Sequence, residues 1–446
     1  MRKWSSAGLS LMRAGRTPGA SRTVGAMDKD QILERVVRFY LESSDFNGIP
    51  AWQLMQEYQQ TNDVLKGILR ELIESGSVAA NFGDRHPNPH IRALPDEPIE
   101  RQSEKISETE APGYCVYPTK RALERFVDQS TYTGRPFTLE LALGEPQLAF
   151  RTFDLSVLEV YRNDPRYTYT TDDISGSISV HDRHYESEEM RSSDKVLLQS
   201  FGFAYDAELN RAVAVFLRYL ADLSAEHQGI WQARLISNGY RLHPDYYRSS
   251  ILGEWYERRS LFQAFIEELK LINEMSAAMG RSSLFRNAFE DRPREFAFLI
   301  RPTLKEFNSF VHLLDKMMSE NINLAFFRGD VPLEEEEIRS DGKVVVKTKG
   351  SIAVLDEWLR KMYRTPEPEP LEETLQTFRK VRKLRQKPAH SVNDDAFGQQ
   401  FAQRQRMLMV EAYNAVRTLR MIFEKHPLAT GVKVDEDLRK GLIWSY

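Results

Sequence analysis

The chain has 446 residues, enough for about three domains of ordinary size. Hydrophobic residues make up 41% and charged residues 28%, which excludes a wholly disordered chain. The formal net charge of -4 excludes general attraction to nucleic acid, so RNA or DNA binding would need a local basic patch. The single cysteine, Cys115, excludes an intrachain disulfide framework, and no apolar run approaches the roughly 20 residues of a membrane-spanning helix. We expect a soluble, cytoplasmic protein without membrane association.

Residues 1–26 differ in composition from the rest of the chain. They contain arginine, lysine, serine and glycine but no acid, and they show no apolar periodicity. The segment resembles an organellar transit peptide; the other interpretation is an over-extended start, with Met27 as the true initiator. In either case we expect it to lie outside the fold.

Residues 27–95 show the pattern of a small helical domain. Apolar residues at three- and four-residue spacing predict a helix from Asp28, a second after Pro50 and a third that ends before Gly76. Two short strands, 78–82 and 91–94, would flank a turn rich in proline and asparagine. Three helices and a β-wing resemble a winged helix-turn-helix, whose third helix would enter the DNA major groove. The alternative is a packing or protein-contact role. The candidate DNA contacts are Lys66, Arg70, Arg85 and Arg92.

The next two segments carry no catalytic signature. Residues 96–112 are acidic and without periodicity, which predicts a linker. Residues 113–299 predict an α+β domain, with β-leaning segments that include 137–143 and helices at 209–223 and 262–272. This domain is the expected docking surface for any protein partner. The histidine pairs lack a third ligand, so we expect no metal site and no cofactor; the pairs are His86 with His90 and His181 with His184.

Residues 300–446 predict a four-helix bundle. Apolar stripes run through 304–318, 352–362, 371–384 and 397–422, and a β-hairpin is predicted between the first two helices. The overall fold class is therefore mainly α with an α+β middle.

A basic run ends the third helix of this predicted bundle. Arg385 lies seven residues after Phe378, on the apolar face, where an arginine requires a reason. Pro388 predicts a kink that would present His390 near Arg385. No acid occurs between Glu373 and Asp394. The cations that form a candidate RNA-binding patch are Arg379, Lys380, Arg382, Lys383 and Lys387.

The sequence Arg385-Gln-Lys-Pro-Ala-His390 resembles the motif of the HEPN superfamily. Its nuclease members carry an arginine, about four to six residues and a histidine at the junction of two helices in a four-helix bundle. The resemblance covers residues 300–426 and implies a metal-independent ribonuclease, often with an active site completed across a homodimer, in prokaryotic defence or stress systems. Gln386 departs from the Asn or Asp that active members often carry, and Pro388 is also unusual.

The implied chemistry is physically coherent. An imidazole, with an ordinary pKa near about 6.5, can move protons at neutral pH, and a guanidinium can hold two phosphate oxygens as negative charge develops. Arg385 and His390 are therefore the candidate catalytic residues of a possible endoribonuclease. Two other interpretations stay open. One is a winged-helix transcriptional regulator whose bundle only dimerises, and the other is an inert scaffold or partner subunit.

Overall fold

The computed structural model describes residues 28–86, 88–92, 95–188, 190–236, 239–254, 258–338, 344–386 and 394–446. These residues form two compact units. Unit 1 contains the described residues up to His90 together with Asp96–Phe126. Unit 2 contains those of Ile91–Pro95 and Val127–Tyr446. The class is mixed α/β, with more helix than strand.

Unit 1 joins helices to a small antiparallel sheet. The three predicted helices are confirmed, and the side chain of Asp28 caps the first of them. The sheet order is β1-β3-β2, so its central strand is the last one in the chain. In chain order, the elements are α1 (Lys29–Glu42), β1 (Ile49–Pro50), α2 (Ala51–Tyr58), α3 (Asn62–Glu74), β2 (Val78–Phe82), α4 (Ile99–Glu108), β3 (Tyr114–Pro118) and α5 (Lys120–Phe126).

Two predictions for this region were wrong. The predicted linker 96–112 contains α4, which buries Gln102, Lys105 and Ile106 and packs against α3 and β2. The polar composition of residues 96–112 led to the wrong prediction of a linker. Lys105 can be buried because it donates to the carboxylates of Asp84 and Glu97, an arrangement that the local sequence does not reveal. The strand predicted at 91–94 is absent from its described residues, and β2 pairs instead with β3, which had been placed in the next domain.

The first half of unit 2 is built around a second antiparallel sheet. Its strand order is β4-β8-β7-β6-β5, with β9 paired to β7, so β5 lies at an edge. In chain order, the elements are α6 (Pro136–Ala142), β4 (Phe150–Phe153), α7 (Glu159–Arg162), β5 (Tyr167–Thr171), β6 (Ser175–Val180), α8 (Asp182–Tyr185), β7 (Leu197–Tyr205), β8 (Arg211–Phe216), α9 (Leu217–Ala221), α10 (Ala225–Gln232), β9 (Arg241–Leu242) and α11 (Pro244–Tyr247).

Two elements of this half have the opposite type to the prediction. Residues 137–143, predicted as β, lie almost entirely in α6, whose first helical position is a proline that suits a helix start. Residues 209–223, predicted as one helix, form the buried strand β8 followed by the short helix α9. Every residue of β8 is buried, so its apolar run has no alternation from which the correct period could be read.

The second half of unit 2 is a helical bundle with a β-hairpin. All four predicted helices and the hairpin are confirmed. The elements are α12 (Leu261–Ala278), α13 (Leu304–Met317), β10 (Glu334–Ile338), β11 (Val344–Thr348), α14 (Ser351–Met362), α15 (Glu369–Gln386), α16 (Gln399–Glu424) and α17 (Glu436–Lys440).

The predicted start of the bundle at residue 300 falls too late in the chain. Helix α12 shares one continuous core with α13 to α16 and packs most extensively against α16. The bundle and the sheet also lie in one compact unit, so a boundary at residue 299 separates α12 from its packing partners.

Within the described ranges, no helix combines the length and the apolar character needed to cross a bilayer.

Candidate functional site at the end of helix α15

The apolar stripe of α15 leads directly to two arginines. Leu375, Phe378 and Val381 are fully buried against the bundle core, and this stripe continues toward the last turn of the helix. Arg385 lies in that turn and Arg382 lies just before it, with 27% and 30% of their side chains exposed. The helix therefore holds both guanidinium groups at the end of the bundle, partly open to solvent.

Carboxylates from α13 and the residues after it meet these arginines. Arg385 Nη1 lies 2.8 Å from Asp315 Oδ2 and also donates to Glu320 Oε1. Arg382 Nε lies 3.2 Å from Asp315 Oδ1. The Asp315 side chain is fully buried and accepts a further hydrogen bond from the Ser319 hydroxyl. We call these five residues the α15 cluster; they are Asp315, Ser319, Glu320, Arg382 and Arg385.

The two carboxylate oxygens that bind Arg385, one from Asp315 and one from Glu320, both contact the same guanidinium nitrogen. Nη1 makes both carboxylate bonds, and within the described chain Nε and Nη2 have no hydrogen-bond partner. Two donors of a fixed planar fork are thus left on one edge of a partly exposed group. That edge has the geometry for bidentate contact with a phosphate or carboxylate ligand.

The electrostatics of the cluster keep its ions charged. The hydrogen bonds to Asp315 and Glu320 raise the pKa of Arg385. Burial raises the pKa of Glu320, but the hydrogen bond and charge of Arg385, and the charge of Arg382, outweigh burial and leave that pKa lowered. His312, an exposed residue of α13, adds a small effect in the same direction. The pKa shifts of Arg385 and Glu320 thus both favour the charged form of this ion pair.

The predicted RNA-binding patch is neutralised in part. Arg379 donates to Asp356, and Lys380 lies 2.6 Å from Glu411. With Arg382 in the α15 cluster, three of the five predicted patch cations have carboxylate partners. Lys383 is exposed and, in the described chain, has no ion pair. The carboxylate partners come from the neighbouring helices α13, α14 and α16. The absence of acids between Glu373 and Asp394 in the sequence therefore did not mean that acids are absent from the surface around these cations.

Several predicted residues lie outside the described part of the chain. These are His390, Lys387, Pro388 and the basic segment 1–26. The pairing of Arg385 with His390 thus stays a prediction, while Gln386 is the exposed last residue of α15.

The four candidate DNA contacts are divided between the two compact units. The side chain of Lys66 is only 12% exposed, and its ammonium donates to the carbonyl of Ser107. Arg92 is buried in unit 2, where its guanidinium donates to the carbonyl of Gly144. Arg70 is exposed on α3, and Arg85 follows β2. Lys66, Arg70 and Arg85 belong to unit 1, whereas Arg92 belongs to unit 2.

Helix α4 covers part of the face of α3 that a DNA reader would expose. Besides the Lys66 contact, Asn62 at the start of α3 donates to Glu110, just beyond α4. Access of α3 to a major groove is thereby reduced.

Metal ligands and reactive thiols are not evident in the described residues. No group of three or more His, Cys, Asp or Glu residues there could hold a metal ion. His181 contacts the hydroxyl of Thr168 at 2.9 Å, and His86 contacts the carbonyl of Asn88. Cys115 is buried in β3, and burial raises the pKa of its thiol to about 12.

Sequence reasoning missed the acidic half of the α15 cluster. Asp315 lies four residues after Val311, on the apolar stripe of its helix, just as Arg385 lies on the stripe of α15. A carboxylate on the apolar face of one helix and an arginine on the apolar face of another indicate a buried ion pair. The pair of Asp315 and Arg385 could have been predicted from this pattern.

Comparison of the chain with protein-family models, with curated protein sequences and with solved structures found no match.

Proposed function

We propose that the C-terminal bundle is a metal-independent, RNA-cleaving module of the HEPN type, with the α15 cluster as the arginine half of its site. The observation that carries this proposal is the open edge of Arg385. Two carboxylates fix one corner of the guanidinium, and Nε and Nη2 are left without partners in the described chain. A phosphate group could bind at that edge without breaking either carboxylate contact.

In the proposed reaction, the ribose 2′-oxygen attacks the adjacent phosphorus and the bond from phosphorus to the 5′-oxygen breaks. A base takes the proton of the 2′-hydroxyl, and an acid gives a proton to the leaving 5′-oxygen. His390 is the proposed proton-transfer group, and Arg385 stabilises the charge that builds on the phosphate oxygens. The products are a 2′,3′-cyclic phosphate and a 5′-hydroxyl.

The test measures the rate at which variants of His390, His312 and Arg385 cleave single-stranded RNA in the presence of EDTA. His390→Ala should lower the cleavage rate by about 100- to 10,000-fold, the usual contribution of a proton-transfer group. The matched control is His312→Ala, which removes the imidazole near Glu320 and should leave the rate unchanged. Arg385→Ala should reduce both rate and RNA affinity. Cleavage that needs added metal, or that survives His390→Ala, would contradict the proposal.

The main alternative is a catalytically inert scaffold or partner subunit. It is favoured by one specific observation, the neutralisation of Arg379, Lys380, Arg382 and Arg385 by carboxylates. If the wild-type protein neither binds nor cleaves varied RNAs, this alternative replaces the nuclease.

We further propose a homodimer, since a site with one arginine and one histidine per chain is suited to completion by a symmetry mate. Light scattering across the micromolar range should give twice the chain mass of 51.7 kDa. A monomer throughout would contradict a composite site.

For unit 1 we propose a winged-helix module that contacts protein. Its order of helix, strand, two helices and two later strands, with β3 between β1 and β2, supports the fold assignment. The cover of α4 over α3 favours protein contact over the regulator alternative, which requires an open third helix. Fluorescence anisotropy with duplex DNA should show no binding at physiological salt.

A further inference from the structure

Arg211, the first residue of β8, is buried without a carboxylate partner. Only 8% of it is exposed, yet within the described chain it has no ion pair, and its Nη1 is buried without a hydrogen-bond partner. A buried charge costs free energy unless a partner compensates it, and arginines are therefore almost never buried alone. Stability alone thus does not explain an arginine at this position.

Three aromatic rings hold the Arg211 guanidinium in place. Its Cζ lies 4.7 Å from the ring centre of Phe203, 5.4 Å from that of Tyr205 and 3.9 Å from that of Phe298. Contact with the face of an aromatic ring stabilises a cation in part and does not use the N–H donors at the edge of the planar group. The rings therefore fix the guanidinium without neutralising its charge.

The guanidinium lines a small pocket at the junction of the sheet and α16, within unit 2. The turn between β7 and β8 forms one side of the pocket, and residues 402–406 of α16 form the other. Its volume of about 30 Å³ is room for about two water molecules, because a cavity of about 10–15 Å³ holds one. The two oxygens of a carboxylate fill such a space, and a phosphate can place two of its oxygens there.

The charged residues that line this pocket are both cations. Arg406, a partly exposed residue of α16, lines it together with Arg211 and has no ion pair in the described chain. No aspartate or glutamate occurs among the described lining residues. Two acids close to the pocket are engaged elsewhere, since Asp173 accepts from Arg292, and Asp206 accepts from the backbone and side chain of Asn210.

A second buried donor accompanies Arg211. The hydroxyl of Tyr205, which also lines the pocket, has no hydrogen-bond partner in the described chain. Buried polar groups are almost always hydrogen-bonded, so two unpartnered donors in one pocket indicate a site for an acceptor. Water can accept from both donors, but only an anion also compensates the charge of Arg211.

We propose that this pocket binds one oxyanion group of a small molecule, a carboxylate or a phosphate, with Arg211 and the Tyr205 hydroxyl as its buried contacts and Arg406 as a partly exposed contact. The bound group links β8 to α16, so it ties the sheet to the bundle. The inference does not depend on the nuclease proposal, because no residue of the α15 cluster lines the pocket.

The test measures the melting temperature of the full chain in sodium acetate or sodium phosphate, against sodium chloride at equal ionic strength. An anion that binds only the folded protein should raise the melting temperature by about 3 °C or more at a hundredfold excess over its Kd. A response to acetate alone identifies a carboxylate ligand, and a response to phosphate alone identifies a phosphate. Phosphate also stabilises proteins in general, so the response must be compared between variants.

Two variants remove the proposed contacts. Arg211→Met keeps an apolar stem against the three rings and should lose the anion response. In chloride it should be at least as stable as wild type, because an unpaired buried charge has been replaced by an apolar side chain. Arg406→Gln should weaken anion binding by about three- to fivefold. The matched control is Arg404→Gln, which changes an exposed arginine of the same helix that contacts the Phe307 ring and should preserve the wild-type response.

An equal response of wild type, Arg211→Met and Arg406→Gln overturns the inference, because the anion then acts on the protein surface in general. A wild-type protein that responds to neither acetate nor phosphate overturns it as well, because a group of the chain itself then satisfies Arg211. If Arg211→Met does not fold, the comparison of Arg406→Gln with Arg404→Gln decides, and equal responses of these two count against the site.

Discussion

Two arginine clusters in the same helical bundle differ in their access to solvent. Within the bundle core, Arg420 Nε lies 2.7 Å from Glu268 Oε2, and Arg420 Nη1 lies 2.7 Å from Glu424 Oε2. The side chains of Arg420 and Glu268 are 1% and 0% exposed, so this pair is sealed. In the α15 cluster, Asp315 is equally buried, but Arg385 is 27% exposed.

The difference shows how the same residue types serve two purposes. Arg420 meets its two carboxylates through Nε, Nη1 and Nη2, and no side of the group faces water. Arg385 uses Nη1 alone for both carboxylates. A guanidinium that is fully buried and bonded through all three nitrogens can only stabilise the fold. One that is bonded through a single nitrogen and partly exposed can also bind a ligand. Removing each arginine should therefore affect stability and binding differently.

The largest expected loss of stability follows from Arg420→Ala. This change leaves the Glu268 carboxylate buried without its partner, which typically costs about 3–5 kcal/mol in the free energy of unfolding. Denaturant unfolding would measure the loss. The control is Arg360→Ala, which removes an arginine that is 50% exposed in surface ion pairs and should cost under about 1 kcal/mol. Equal losses for the two variants would show that the core pair is not sealed.

The next largest effect is a loss of stability at low pH, which we expect from a buried histidine. His243 is fully buried, and burial together with the charge of Arg211 lowers its pKa to about 4. The unfolded chain, with an ordinary histidine pKa near about 6.5, then binds more protons than the folded chain as pH falls. This stability is fully present above about pH 6.5 and is lost as pH falls toward 4, on the order of 3 kcal/mol in all.

The measurement is the unfolding free energy between pH 4 and 7. His243→Gln should flatten the pH dependence, although it lowers stability at pH 7. His184→Gln, which changes a partly exposed histidine, should preserve the wild-type slope. An unaltered slope in His243→Gln would locate the titrating group elsewhere.

Arg385→Ala should have a smaller effect on stability than Arg420→Ala, about 1–2 kcal/mol. Asp315 retains Arg382 at 3.2 Å and the Ser319 hydroxyl, and solvent reaches the site to screen the remaining charge. Thermal unfolding of both variants at one pH would test this order. A loss as large as that of Arg420→Ala would indicate that Arg385 has a purely structural role.

The smallest effect is expected for Lys383→Ala. This exposed side chain has no ion pair in the described chain, so the unfolding free energy should change by less than about 0.5 kcal/mol. If the basic run contacts RNA, the variant should weaken binding modestly and reduce the salt slope by about 0.7. Salt-dependent anisotropy would measure it, and an unchanged slope would remove Lys383 from the proposed interface.

The sequence predicted the bundle well because its helices are long and each repeats its apolar residues many times. Phe378 and Val381, for example, lie on a stripe that no other period explains. It failed for β8, where six consecutive buried residues carry no period. It failed for α4 because Lys105 is neutralised by Asp84 and Glu97, which precede the helix and come together with it only in the fold.

The candidate site was predictable only in part. Arg385 could be selected from its place on an apolar face, but its partner Asp315 lies 70 residues earlier.

The order of strands in unit 1 also determines how the chain can be divided. Because β3 lies between β1 and β2, neither of those strands has a neighbour until Tyr114–Pro118 has been synthesised. A fragment that stops before residue 114 would keep the helices α1 to α4 and expose two unpaired strand edges, an arrangement prone to intermolecular pairing. The sheet of unit 1 can therefore be completed only when the chain extends through β3, after four of the helices of that unit have been synthesised.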